Sequence, residues 1–111
     1  MIHARVTPSS ISGTITAPAS KSSMQRACAA ALIRKGETVI KNPGVSGDDV
    51  AAIDVVQKLG ALVTKLDNGN LHIISGGVKP QSSTINCGES GLGIRMFTPI
   101  AALSSSPITI T

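Results

Sequence analysis

Aromatic side chains are almost missing from this sequence: Phe97 is the single ring, and there is no Trp or Tyr. Proteins that hold single-stranded nucleic acid stack its bases on such rings, so that class of function loses its usual means of binding. Charge is sparse as well. Only 14% of residues carry it, and Lys and Arg form no run longer than Arg34-Lys35, which argues against a basic tail or a membrane-binding patch. The longest uninterrupted apolar stretch, Ala27 to Ile33, is seven residues, far short of the ~20 that a membrane-spanning helix needs. Met1-Ile2-His3-Ala4-Arg5 does not follow the charged-then-apolar order of a secretion signal. Cys28 and Cys87 are isolated, in neither a C-x-x-C nor a metal-ligand spacing. They read as buried, reduced, inert thiols, which suits a cytoplasmic protein. His3 and His72 sit in strand-like stretches with no partner at triad or metal spacing, so no metal is expected.

What remains is a chain of 111 residues, 41% of them hydrophobic, with a net charge of +4. That is enough apolar material for one compact domain, burying roughly 65% of its unfolded surface. The positive balance fits a small anionic substrate as well as it fits nucleic acid.

Periodicity divides the chain. Ile2, Ala4 and Val6 alternate with polar residues, as do Ile11, Gly13, Ile15 and Ala17, and the two stretches read as strands paired back on one another. Met24, Ala27, Cys28, Ala31 and Leu32 recur at helical spacing, and Arg34-Lys35-Gly36 stops that helix with cations and a glycine. A short strand follows over Glu37 to Lys41. Ser46 with Asp49 forms a capping box that starts a second helix with the stripe Ala52, Val55, Val56 and Leu59, ended by Gly60. Ala61 to Leu66 and Leu71 to Ile74 are strands joined by Asp67-Asn68-Gly69-Asn70, a strong hairpin signal. Ser83 to Cys87 is a further strand. Gly88-Glu89-Ser90-Gly91-Leu92-Gly93 leads into a third helix, Ile94 to about Leu103, which Pro99 should bend or delay. Pro107 to Thr111 begins one more strand. Ending in bare β-forming residues with no turn or cap, the chain is expected to be a piece of a longer one.

Two stretches carry chemistry. Pro18-Ala19-Ser20-Lys21-Ser22-Ser23-Met24-Gln25-Arg26 opens a helix with hydroxyls and cations. A helix leaves its first N–H donors unpaired at that end, where its dipole is positive. Hydroxyls, a Lys and an Arg there suit a dianion such as a phosphate ester. Ser22 and Arg26 are four apart and share a face, and Lys21 stands at the mouth. Taken singly, Ser20 is equally an N-cap, and the cations are equally solvated surface charges. The second stretch is Gly88 to Arg95, where three glycines in six residues let the backbone approach a ligand closely at another strand-to-helix junction. It is neither G-x-G-x-x-G nor a Walker loop. Asp48 and Asp49 read as helix-capping carboxylates, with a salt bridge from Asp49 to Arg26 left open. No general acid, general base or activated nucleophile stands out.

Pro18-Ala19-Ser20-Lys21-Ser22 with Arg26, then Ser46-Gly47-Asp48-Asp49-Val50, then Gly88-x-x-Gly91 with Arg95 and Ala101-Ala102-Leu103, resemble the N-terminal quarter of the EPSP synthase family. The Ser-Lys-Ser-x-x-x-Arg element separates that family from the related UDP-N-acetylglucosamine enolpyruvyl transferases, which typically have Lys-Asn there. The resemblance implies transfer of the enolpyruvyl group of phosphoenolpyruvate to the 5-hydroxyl of shikimate 3-phosphate, with release of phosphate through a tetrahedral adduct and no cofactor. It implies that Lys21 lies between the substrates and contacts phosphoenolpyruvate, as the chain's one catalytic position. Ser22 and Arg26 would hold shikimate 3-phosphate, Gly91 would line the phosphoenolpyruvate pocket that the inhibitor glyphosate also enters, and Arg95 would support it. The family's proton-transfer residues would lie beyond Thr111, so the 111 residues alone are expected to be inactive.

The implied fold is α+β, a two-layer sandwich with helices on a four-stranded mixed sheet. It comprises one βαβαββ-type unit and part of the next. Residues 1–17 would belong with an absent C-terminal domain and residues 18–111 with a partial substrate-binding domain of a monomeric, cytoplasmic enzyme of the shikimate pathway. Where the family usually has Asn-Ala-Gly-Thr, this chain has Glu89-Ser90-Gly91-Leu92, adding an acid and removing a hydroxyl. An alternative in another class is a KH-like nucleic-acid module, from Gly88-x-x-Gly91 and the +4 charge. Against it, this turn follows a strand and carries Glu89 where a backbone phosphate would sit. A third reading is a purely structural piece whose sheet seeks a partner.

Overall fold

A computed structural model describes all 111 residues. In chain order the elements are α1 (Lys21–Arg34), β1 (Gly36–Ile40), α2 (Gly47–Lys58), β2 (Leu62–Lys65), β3 (Leu71–Ser75), β4 (Thr84–Ile85), α3 (Gly91–Ala101) and β5 (Thr109–Ile110). α1 starts where the Ser20 hydroxyl accepts the Ser23 amide at 3.3 Å. Its buried face holds Met24, Cys28, Ala31 and Leu32 as the spacing requires, and also Gln25 and Ala29. The reversal after α1 comes one residue earlier than the glycine signal indicates, because Lys35 itself adopts φ +59° before Gly36 at +116°. α2 follows its local signals closely. Asp49 N donates to Ser46 Oγ (3.3 Å) and Ser46 N donates to Asp49 Oδ2 (2.9 Å), closing the capping box. Ala52, Val55, Val56 and Leu59 are all buried.

The sheet corrects the four-stranded mixed expectation. β2 and β3 form the antiparallel hairpin, with Lys65 opposite Leu71 and the Leu66 amide donating to the Asn70 carbonyl at 2.8 Å. β1 adds antiparallel to the other edge of β3, giving three strands in the order β1-β3-β2. β4 does not join them. After β3 the chain is tied to the end of α2, Lys79 N donating to Leu59 O and Gln81 N to Lys58 O, so β4 starts beside that helix and away from the sheet. Its partner is β5, parallel to it, with α3 as the crossover.

Residues 1–17 correct a second expectation: they contain no strand, and every one is exposed. Their alternation gives Ile2, Val6, Ile11 and Ile15 a common apolar character, yet each is at least 90% exposed. An isolated hairpin without a face to cover is marginal in water, and nothing in the chain packs on this one.

α1 and α2 cover one face of the sheet, onto which Leu71 and Ile73 point, and α3 packs against both helices. Phe97, the only ring, is 1% exposed and sits in the same core. α3 begins three residues before the expected Ile94, because Ser90 caps it and Gly91 and Gly93 are helical rather than looped. Pro99 lies inside the helix without ending it. The missing N–H removes one backbone bond, and Thr98 adds a local one, its hydroxyl donating to the Ile94 carbonyl at 2.5 Å. No helix is long and apolar enough to cross a membrane.

Candidate functional site

The N-terminal ends of all three helices lie side by side, joined by two side-chain bridges. Lys21 Nζ in the first turn of α1 stands 2.9 Å from Asp48 Oδ2 in the first turn of α2. Ser90, the N-cap of α3, donates its hydroxyl to Gln25 Oε1 of α1 at 2.8 Å. Gln25, Asp48, Ser90 and Phe97 line a closed seam with no room for water. Three helix N-termini therefore meet here: that of α2 is covered by the carboxylates of Asp48 and Asp49, while those of α1 and α3 carry no acid in their first turns and keep their positive character.

The candidate residues divide by what already holds them. Lys21 is not a free cation. Its hydrogen bond to Asp48, then the charge of Asp48 and more weakly that of Asp49, raise its pKa above the ordinary 10.5 against a small opposing effect of burial. The ammonium keeps two further donors for a ligand. Arg26 and Arg95 are exposed and take part in none of the chain's three ion pairs, so the open Asp49–Arg26 bridge is not formed. Asp49 is instead 2% exposed and accepts both the Ser46 amide and, at 2.6 Å, the Ser46 hydroxyl on Oδ2, leaving Oδ1 without a partner. Ser22 is half-buried on α1 beside these groups.

In the glycine turn the three glycines have different reasons. Gly88 has φ +60°, and its amide donates to Asn86 Oδ1 at 2.7 Å. A Cβ on Gly93 would lie 3.0 Å from Ser90 Cβ and Oγ. Gly91 has neither constraint: a Cβ there would meet only Arg95 Nη2, at 3.8 Å. Neither conformation nor packing requires glycine at 91, and the open space over it is where Arg95 reaches back.

Three residues at this end show nothing unusual in the sequence. Asp48 has the pattern of a cap alone, and Ser90 that of a loop. Gln25 falls off the stripe counted from Met24 and Ala27; yet Gln25, Cys28, Ala29 and Leu32 make an equally good helical face, with a polar residue on it. The thiols are as expected. Burial, then the negative charge of Asp49, pushes Cys28 up to about 12, and burial raises Cys87. A hollow of about 510 Å³ lies between 78–83 and 105–108, lined mainly by Ser and Pro.

The sequence model of the family described as EPSP synthase (3-phosphoshikimate 1-carboxyvinyltransferase) matches residues 6–111. The chain belongs to the EPSP synthase family. Among curated relatives, the 3-phosphoshikimate 1-carboxyvinyltransferase of Chlamydia abortus is 38% identical over 116 residues, covering 100% of this chain and 25% of that protein. The protein of the same name from Halobacterium salinarum is 37% identical, with 99% of this chain and 26% of the relative covered. The solved EPSP synthase from Acinetobacter baumannii superposes with a TM-score of 0.66 at 25% identity, over 79% of this chain and 21% of that one. The chain thus spans about a quarter of the length of the EPSP synthases it matches.

Proposed function

We propose that this chain supplies part of the substrate site of an enolpyruvyl transferase acting on phosphoenolpyruvate and shikimate 3-phosphate. The observation that carries the reading is the joining of the α1 and α3 mouths at one end, with Arg26 and Arg95 left without carboxylate partners there. In this reading Ser22 and Arg26 hold the shikimate phosphate. Lys21, oriented by Asp48, lies between the two substrates and contacts phosphoenolpyruvate, while Gly91 lines its pocket with Arg95 alongside. No step needs a cofactor, and the work of these residues is binding and orientation. Residues 1–17, extended and apolar on alternate positions, dock on a further domain outside the chain. The full protein is a monomer, and the buried thiols fit a reducing cytoplasm. A KH-like module is disfavoured, since Gly88 to Gly91 joins β4 to α3 rather than two helices.

The test is calorimetric titration of shikimate 3-phosphate into the chain and into Arg26→Ala and Lys21→Ala. A charge-assisted hydrogen bond contributes about 1.5–3 kcal/mol, so each change should weaken binding by roughly tenfold or more. Unaltered affinity in both variants would remove these residues from the site. The 111 residues alone should release no phosphate from the two substrates, and turnover by them would contradict the division of labour proposed.

A further inference from the structure

We propose that Gln25 and Ser90 are a positioning pair that couples the two mouths, so that one ligand carrying two anionic groups is gripped by both at once. The inference rests on the anion-site reading above. Gln25 is 1% exposed and Ser90 5%, in a seam that excludes water. The Ser90 hydroxyl is used in both directions, accepting the Gly93 amide at 2.9 Å and donating to Gln25 Oε1 at 2.8 Å. With Gly93 N–H on one acceptor position of Oγ, the hydroxyl proton points at the amide oxygen of Gln25.

The placement gives this bond its meaning. Gln25 follows Ser22 by three residues and Lys21 by four, which puts it next to both on the helix, and it precedes Arg26 directly. Ser90 directly precedes Gly91 and caps the helix that carries Arg95. A single hydrogen bond between residues 65 apart in sequence therefore sets the offset between the cluster Lys21-Ser22-Arg26 and the cluster Gly91-Arg95. A hydrogen bond is directional where a contact between two apolar side chains is not, so this one favours a single offset between the helices.

The experiment is a double-mutant cycle, Gln25→Met, Ser90→Ala and both together, with Ser90→Thr as the variant that keeps hydroxyl and cap. Gln25→Met preserves shape and leaves the Ser90–Gly93 cap intact, so it separates the bridge from the fold. Amide NMR titrations use phosphoenolpyruvate, which carries a phosphate and a carboxylate, and inorganic phosphate, which one mouth can hold alone. In the unaltered chain phosphoenolpyruvate should shift amides of both clusters with one common affinity. Each single change should weaken phosphoenolpyruvate by about tenfold and inorganic phosphate by less than about twofold, the double change should be no weaker than the worse single one, and Ser90→Thr should retain binding. Losses that multiply in the double variant, equal losses for both ligands, or no loss would overturn the pairing while the unaltered chain still binds. Silence of both clusters in the unaltered chain would overturn the anion-site reading and the pairing with it.

Discussion

Replacing each glycine of the α3 entry by alanine should sort the turn into structural and functional positions. Gly88→Ala forces an L residue to φ +60°, a conformation that costs about 1–2 kcal/mol, although its Cβ would make only ordinary contact with Ala51. Gly93→Ala puts a Cβ 3.0 Å from Ser90 Cβ and Oγ. Relief requires Ser90 to give by a few tenths of an ångström, which strains the bonds of its buried hydroxyl to Gly93 and Gln25; losing them outright would cost about 1–3 kcal/mol, the upper bound for this variant. Gly91→Ala meets nothing nearer than 3.8 Å. Alanine is the better helix former, by up to about 1 kcal/mol in an interior position and less at the first turn, so this variant should be as stable as the parent or slightly more so. Urea denaturation at neutral pH reads all three. The same Gly91→Ala protein should nevertheless bind phosphoenolpyruvate more weakly, because the methyl occupies the space beneath Arg95. If Gly91→Ala destabilises the fold as much as Gly88→Ala, glycine is needed there for structure and the argument for a ligand-lining position is lost.

Other consequences follow from the charges and thiols. In Asp48→Asn the Lys21 ammonium loses its main support, so its titration, followed by NMR of the side chain, should fall back toward the ordinary 10.5; no change would mean that the Lys21–Asp48 pair does not persist in solution. Because the raised value belongs to the folded chain, the pair's contribution is complete below the unfolded pKa and disappears as pH rises through the folded one. Cys28, pushed up to about 12 from 9.0, stays protonated while the unfolded thiol ionises, so stability should decline as pH rises from 9 toward 12. Replacing Cys28 with Ala should flatten that part of the profile, and an unchanged slope would assign it elsewhere. Both thiols should resist iodoacetamide at pH 8 in the native chain and react readily in urea; rapid native labelling would contradict their burial.

Local signals carried most of the architecture. The Ser46–Asp49 box, the Asp67-Asn68-Gly69-Asn70 hairpin and the Ser20 cap are each decided within four or five residues, and they stand where the residues indicated. What escaped the sequence was long-range. The pairing of β4 with β5 instead of the main sheet depends on how 76–82 is tied to α2, and the exposure of residues 1–17 follows from nothing in the chain packing on them, which no local pattern reveals. The candidate site divides in the same way. Ser22, Arg26, Gly91 and Arg95 stand out in the sequence as candidates at helix mouths. The Lys21–Asp48 and Gln25–Ser90 bridges join residues that each look ordinary at home, and only the packing of α1 against α2 and α3 brings them together. The start of α3 is hidden in the sequence because glycine lowers helix propensity, whereas the N-capping Ser90 in front of it outweighs that cost.

The most direct test of the account is a crystal of this chain soaked with shikimate 3-phosphate and phosphoenolpyruvate. Difference density should show the shikimate phosphate against Ser22 and Arg26, with phosphoenolpyruvate between Lys21, Gly91 and Arg95. Density confined to the serine-lined hollow between 78–83 and 105–108, with the three helix mouths bare at saturating ligand, would contradict it.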